Sequence, residues 1–207
     1  MAGLKLMSLR QARRIIPKRW QFPLQRSALR LTPVHHHAEA TNLYHCCVHK
    51  TASQWIKGIF CHRRVYAACG LMPYSYQRTL KGGVDTRPLH ERSFARPFPA
   101  RTVVTPLYLT FDRFAAIPKP ETYRAFFVMR DPRDVITSWY HSHRSNHPVV
   151  GTVGENREKL GAMSPEEGLL FTIDTLWNRG HLRALVSWAD APQRDGRVRL
   201  VKYEDLT

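Results

Sequence analysis

Two short stretches hold the side chains best suited to chemistry. In the first, His49-Lys50-Thr51-Ala52-Ser53-Gln54-Trp55, an ammonium and two hydroxyls sit between an apolar run and a helical pattern. The first N–H groups of a helix lack internal partners, and the helix dipole places partial positive charge there. Small Ala52 lets the backbone come close to an oxyanion. In the second, Arg130-Asp131-Pro132-Arg133-Asp134-Val135-Ile136-Thr137-Ser138, a guanidinium closes another apolar run and a serine follows on the next helix. A guanidinium grips a phosphate through two parallel hydrogen bonds, and Ser138 meets the same group from the other side. Asp131 or Asp134 fixes the loop by pairing with Arg133. The chemistry is recognition of phosphate-type oxyanions. Taken singly, each stretch is equally a plain turn: a solvated lysine in one, a helix cap with weak surface ion pairs in the other.

The elements that must position these groups are legible from the pattern. Leu43–Val48 is a buried strand, His49–Ser53 a loop, and Gln54–Ala68 a helix carrying Trp55, Ile56, Ile59, Phe60 and Val65. Residues 70–100, with Gly82, Gly83, Pro88, Pro97 and Pro99, read as long loops around one short strand. Arg101–Leu107 and Ala125–Met129 are further strands, with a short helix over Phe111–Ile117 between them. Asp134–His143 is a helix. Ser164-Pro165-Glu166-Glu167 opens another, with a serine cap, proline in the first position and acids in the first turn; it runs to about Trp188 and breaks near Gly180. Val198–Tyr203 is the last strand. Strands alternating with helices predict an α/β fold around a mostly parallel sheet.

The formal charge is +16, from 32 Lys+Arg against 16 Asp+Glu in 207 residues. This surplus favours an anionic partner. Half of it lies in Met1–Ala38, which holds Lys5, Arg10, Arg13, Arg14, Lys18, Arg19, Arg26 and Arg30 and no acid. Residues 1–40 therefore read as a basic, disordered leader or a targeting segment, with the domain occupying 41–207. His35–His37 read as an unstructured polar tract. High pI alone is no argument for specific nucleic-acid binding. No apolar run reaches membrane-spanning length. Cys46, Cys47, Cys61 and Cys69 form no CxxC pair and are expected to be reduced, which places the chain in the cytoplasm, with organelle targeting by the Arg-rich N-terminus as the alternative. The Gly-x4-Gly-Lys-[Ser/Thr] pattern and an acid suited to Mg²⁺ are both missing, so no metal is expected.

Taken together, the residues resemble the sulfotransferases that use 3'-phosphoadenosine-5'-phosphosulfate (PAPS). His-Lys-Thr-Ala-Ser-Gln-Trp is similar to their 5'-phosphosulfate loop, and Val-Met-Arg-Asp-Pro-Arg-Asp-Val-Ile-Thr-Ser-Trp-Tyr closely resembles their 3'-phosphate motif. Val201-Lys202-Tyr203-Glu204-Asp205-Leu206 looks like a third family segment. The resemblance covers about residues 43–207. It implies a three-layer α/β fold of the P-loop-NTPase-like sulfotransferase type, with PAPS as donor and a hydroxyl or amine of a glycan or small molecule as acceptor. Lys50 would stabilise charge on the departing phosphate. Thr51, Ala52, Ser53 and Gln54 would hold that phosphate through backbone and hydroxyl donors. Trp55 and Tyr203 would lie near the adenine, and Arg130 and Ser138 would hold the 3'-phosphate.

The sequence also departs from the family. Where the cytosolic members keep a catalytic histidine, this chain has Leu107. Candidate bases are His90, Glu91 and His62, with Asp112 a further neighbour; each reads more readily as a surface residue than as the base. The family's Arg-Lys-Gly segment is missing, and a chain that stops directly after a strand is expected to lack its C-terminal part. The competing readings are a catalytically inactive nucleotide-binding fragment and a basic protein that binds polyanions through residues 1–40. His141, His143 and His147, beside the motif helix, are expected to be solvated, with reach into the pocket as the alternative.

Overall fold

The computed structural model describes residues 18–149 and 151–206. A parallel sheet is built from β1 (Asn42–Cys47), β2 (Met72–Tyr74), β3 (Thr102–Leu107), β4 (Tyr123–Met129) and β5 (Val198–Lys202), in the order β2-β3-β1-β4-β5. Helices flank it, which makes the three-layer α/β architecture expected from alternating strands and helices. β1 lies at the centre of the sheet and reads as an almost continuous buried run, as a doubly covered parallel strand should.

The helices are α1 (Lys18–Arg30), α2 (Ser53–Phe60), α3 (Arg63–Cys69), α4 (Phe111–Ala115), α5 (Pro132–His141), α6 (Val153–Ala162), α7 (Pro165–Asn178), α8 (His181–Trp188) and α9 (Ala191–Arg194). The helix expected over Gln54–Ala68 is two, because His62 leaves helical geometry (φ −83°, ψ 136°) and its side chain caps α3 by accepting from the Arg64 amide. α7 starts with the capping box read from Ser164-Pro165-Glu166-Glu167: Ser164 and Glu167 each bond the other's backbone. The expected break is at Gly180, whose φ of 79° separates α7 from α8.

Part of the stretch read as a leader is folded: α1 covers Lys18–Arg30. Leu29 is buried, and the amides of His35 and Ala38 bond the carbonyls of Ala67 and Cys69 in and beside α3. Arg101 adds hydrogen bonds to the Ala38 carbonyl and to His37 Nδ1, so the histidine tract is tied to the domain. Residues 1–17 lie outside the described residues.

Aromatic packing fixes the frame. Trp188, fully buried at the end of α8, stacks on Phe127 of β4 with centroids 4.8 Å apart and donates its indole N–H to the Leu109 carbonyl. This anchors α8 against the centre of the sheet. The loop before β3 is held by Arg92, buried beside Asp85, which donates to Tyr76 Oη and to the Tyr108 and Asp85 carbonyls. None of the four cysteines forms a disulfide, and Cys46 and Cys47 are completely buried in β1. Among the described residues no His/Cys/Asp/Glu group could hold a metal ion, and no helix is long and apolar enough to cross a membrane.

Candidate functional site

Strand order selects the site. The chain leaves β1 toward β2 on one side of the sheet and leaves β4 toward β5 on the other. Open α/β sheets bind ligands at the carboxyl ends of strands where the connections diverge in this way. The loops in question are those of Lys50 and Arg130.

Register does the alignment. β1 and β4 pair from Asn42↔Tyr123 to Cys47↔Val128, and β4 and β5 from Ala125↔Val198 to Met129↔Lys202. Continuing both ladders by a residue or two brings Arg130 beside the His49-Lys50 turn on one flank and Tyr203 on the other. The side chains confirm it. Arg130 Nη1 donates to the Lys50 carbonyl at 2.8 Å, and its guanidinium carbon lies 4.1 Å from the Tyr203 ring centroid.

The first loop is conformationally unusual. Lys50 and Ala52 both adopt positive φ, 71° and 56°. Each such non-glycine residue costs about 1 kcal/mol or more, and strain of this kind collects at functional sites. The turn is stabilised by Thr51, whose buried hydroxyl donates to the Val48 carbonyl, and by the Arg130 bond. Ser53 Oγ lies 2.9 Å from Tyr108 Oη, and Gln54 Nε2 donates to the same oxygen at 3.3 Å. The Thr51 hydroxyl proton is thus engaged inside the protein and Ser53 shares its hydroxyl with Tyr108. The first-turn amides of α2, behind a left-handed Ala52, have no side-chain cap and are the donors left for a ligand. Trp55 stands 55% exposed on α2, able to cover a ring.

The second loop is capped by Asp131, which accepts from the Arg133 amide and pairs with the Arg133 side chain; these bonds hold its carboxyl down to about 2. Asp134 turns the other way and approaches Arg130 Nε at 3.8 Å. Ser138 lies one helical turn beyond Asp134, on the same face of α5.

Three donors on these two loops make no hydrogen bond among the described residues, although Asp134 stands 3.8 Å from Arg130 Nε. Arg130 Nε is buried and makes no hydrogen bond. The Lys50 ammonium and the Ser138 hydroxyl have no hydrogen bond or ion pair among the described residues. Burial first, and the Arg130 charge second, lower the Lys50 ammonium below its ordinary value. Two interacting cations, with one exposed carboxylate beside Arg130, form a site whose charge an incoming oxyanion would offset, so these residues fit a phosphorylated ligand.

A histidine pair borders the loop. His49 Nδ1 lies 2.6 Å from His181 Nε2 at the start of α8, and the His49 ring stacks on Tyr108 with centroids 4.3 Å apart. Burial, with the charges of Arg92 and Arg179, holds His49 down to about 3; burial first, then His49 and the same two arginines, also holds His181 well below its ordinary value. Both are neutral near pH 7. His49 is only half-buried, and its Nε2 makes no hydrogen bond among the described residues. Sequence reasoning placed His49 in the loop and missed His181, which is 132 residues away; the glycine break before it was the only local sign.

The candidate bases are dispersed. His90 lies against Gly180, immediately before His181, and approaches Glu91 at 3.7 Å. Glu91 is exposed. His62, exposed at the α3 cap, is separated from the loop by the eight residues of α2, roughly 12 Å. Asp112 pairs with Arg194. His143 is half-buried and stacked on Trp139 rather than solvated; burial takes it down to about 4, with the charges of His147, Lys50 and Arg179 contributing.

Comparison with known proteins bears out the resemblance. Residues 116–207 match the family model described as the sulfotransferase domain. That stretch contains Arg130, Ser138 and Tyr203; the Lys50 loop precedes it. Solved structures that match include mouse sulfotransferase SULT7A1 complexed with PAP, at 13% identity and TM-score 0.42, covering 88% of this chain. The present chain spans 57% of that one. No curated protein matches.

Proposed function

We propose that this chain, which carries the sulfotransferase-domain match, binds PAPS across its two loops and transfers the sulfuryl group to a hydroxyl or amine of an acceptor. The observation that carries this reading is Arg130: bonded to the Lys50 carbonyl, lying over Tyr203, and left with a buried Nε that has no hydrogen-bond partner among the described residues, Asp134 reaching only to 3.8 Å. A 3'-phosphate supplies the acceptor for that nitrogen and for the Ser138 hydroxyl. The 5'-phosphate is held by Lys50 and the first amides of α2, and Trp55 and Tyr203 offer faces to adenine.

In the transfer, the acceptor oxygen or nitrogen bonds to sulfur as the bond from sulfur to the bridging oxygen breaks. The electron pair of that bond goes to the departing 5'-phosphate, where the Lys50 ammonium neutralises it. Catalysis of this type rests on positioning and charge stabilisation. The acceptor proton goes to a neutral ring nitrogen, and His49 is adjacent to Lys50 with its Nε2 free. The negative charge of a bound donor opposes Arg92 and Arg179, which raises the basicity of His49 as the donor arrives. His90, on the far side of Gly180, is the alternative among the histidines read from the sequence.

The test is calorimetric titration with 3'-phosphoadenosine-5'-phosphate (PAP), the desulfated product. Binding is expected, weakened at least tenfold by Arg130→Ala and measurably by Ser138→Ala, since a hydrogen bond to a charged group contributes about 1.5–3 kcal/mol. Absence of PAP binding to a folded chain rules out the donor reading.

A further inference from the structure

Away from the donor loops, the last turns of α1 and the segment after β2 enclose a second basic cavity. Its volume is about 300 Å³, and its walls include Arg26, Arg30, Tyr74, Ser75, Arg78 and Thr79. Among the described residues no carboxylate lines it. Neither Arg26 nor Arg30 has an ion-pair partner among the described residues. Two buried polar atoms on its walls have no hydrogen-bond partner among the described residues: Arg26 Nε and Ser75 Oγ, the latter on a residue 4% exposed. An unpaired buried polar atom costs about 1–3 kcal/mol, so two on one cavity wall call for a shared ligand. The surrounding charge has the same sign. Burial lowers the Arg78 guanidinium and, together with the Arg78 charge, the Lys57 ammonium.

We propose that this cavity binds a phosphate or sulfate monoester group attached to a body no larger than a monosaccharide. The guanidinium groups offer paired N–H donors to a tetrahedral oxyanion, and Ser75 adds a hydroxyl at the base. The volume matches the lower end of small-molecule sites. Tyr74 ends β2, so the cavity opens at the same edge of the sheet as the donor loops. β2 is two strands from β1, about 10 Å at the usual strand spacing. An acceptor that already carries an anionic group anchors it here and extends toward Lys50; this role rests on the donor reading above, whereas the oxyanion site stands without it.

The experiment is calorimetric titration of the full chain with glucose 6-phosphate and, separately, inorganic phosphate, using the Arg130→Ala variant to remove the donor-loop contribution. Retained 1:1 binding of glucose 6-phosphate in Arg130→Ala is expected, falling at least tenfold in Arg130→Ala combined with Arg26→Gln or with Ser75→Val. Arg26→Gln keeps a polar side chain on the cavity wall, and unchanged circular dichroism and melting temperature would show that the loss is local. Equal affinity for both probes assigns the site to the oxyanion alone and removes the sugar-sized body from the proposal. Binding that vanishes in Arg130→Ala, or that ignores Arg26 and Ser75, overturns the site. A parallel PAP titration separates the two readings, because failure of PAP binding leaves the cavity result intact.

Discussion

Arg130 lies over the ring of Tyr203, 4.1 Å from the centroid, although 73 positions separate them in the sequence. The β4–β5 ladder makes them neighbours, each following the last paired residue of its strand. The ring fixes the guanidinium plane while Nη1 bonds the Lys50 carbonyl. A cation–π contact of this kind contributes about 0.5–2 kcal/mol. Tyr203→Phe is therefore expected to bind PAP within about threefold of the parent. Tyr203→Ala should weaken it by roughly threefold to thirtyfold, read by titration calorimetry. Arg130→Lys should behave like Arg130→Ala, because an ammonium cannot make the planar contacts.

The His49–His181 pair gives a prediction on turnover. His49→Gln should leave PAP affinity within about threefold while lowering kcat by 100-fold or more, the usual contribution of a positioned general base. His181→Asn should shift the acid limb of the kcat profile with a smaller loss of rate, since it acts through His49. Equal damage to PAP binding and turnover in His49→Gln would instead mark it as a loop-shaping residue.

Acid should unfold this protein through its histidines. His45, His49 and His143 are held at about 3, 3 and 4, and His181 is also lowered, each chiefly by burial. Unfolded, they titrate near 6.5. Between those values the unfolded chain binds more protons, so stability rises with pH. Their contribution is complete above about pH 6.5 and is lost as pH falls toward 4 and below. Melting temperature should be flat from pH 7 to 8 and drop steeply below 6. His143→Gln, at the most accessible of the four, should soften that drop.

Much of this was legible in the sequence because strands, loops and caps are local. The apolar runs before Lys50 and Arg130, the capping box at Ser164 and the break at Gly180 all announce themselves within a few residues. The Arg130–Ser138 stretch was readable for the same reason. α1 was not, since arginine-rich composition masked a helix whose stability comes from burying Leu29 and from the contacts of the following residues with α3. Nor was the division of labour among hydroxyls. Thr51 and Ser53 look like ligand donors in sequence, but Val48 and Tyr108 engage them. The roles proposed for His181 and Arg26 depend on tertiary contacts that no local pattern announces.

Gly180 ties the frame to the site. Its φ of 79° suits glycine, and a Cβ there would meet His90 Nδ1 at 2.6 Å and the amides of Leu89 and His90 at 3.1 Å. Those backbone atoms cannot move freely, because the Leu89 amide bonds the Arg179 carbonyl and Leu89 is buried. Gly180→Ala is thus expected to destabilise the fold by about 1–3 kcal/mol, from left-handed strain and the clash together. It should also displace His181 from His49, since Trp188 pins only the other end of α8. Chemical denaturation measures the first effect. The second should show as a lower kcat with PAP affinity preserved. A variant as stable as the parent would mean that the turn at residues 89–91 yields, and that the position of His181 does not depend on it.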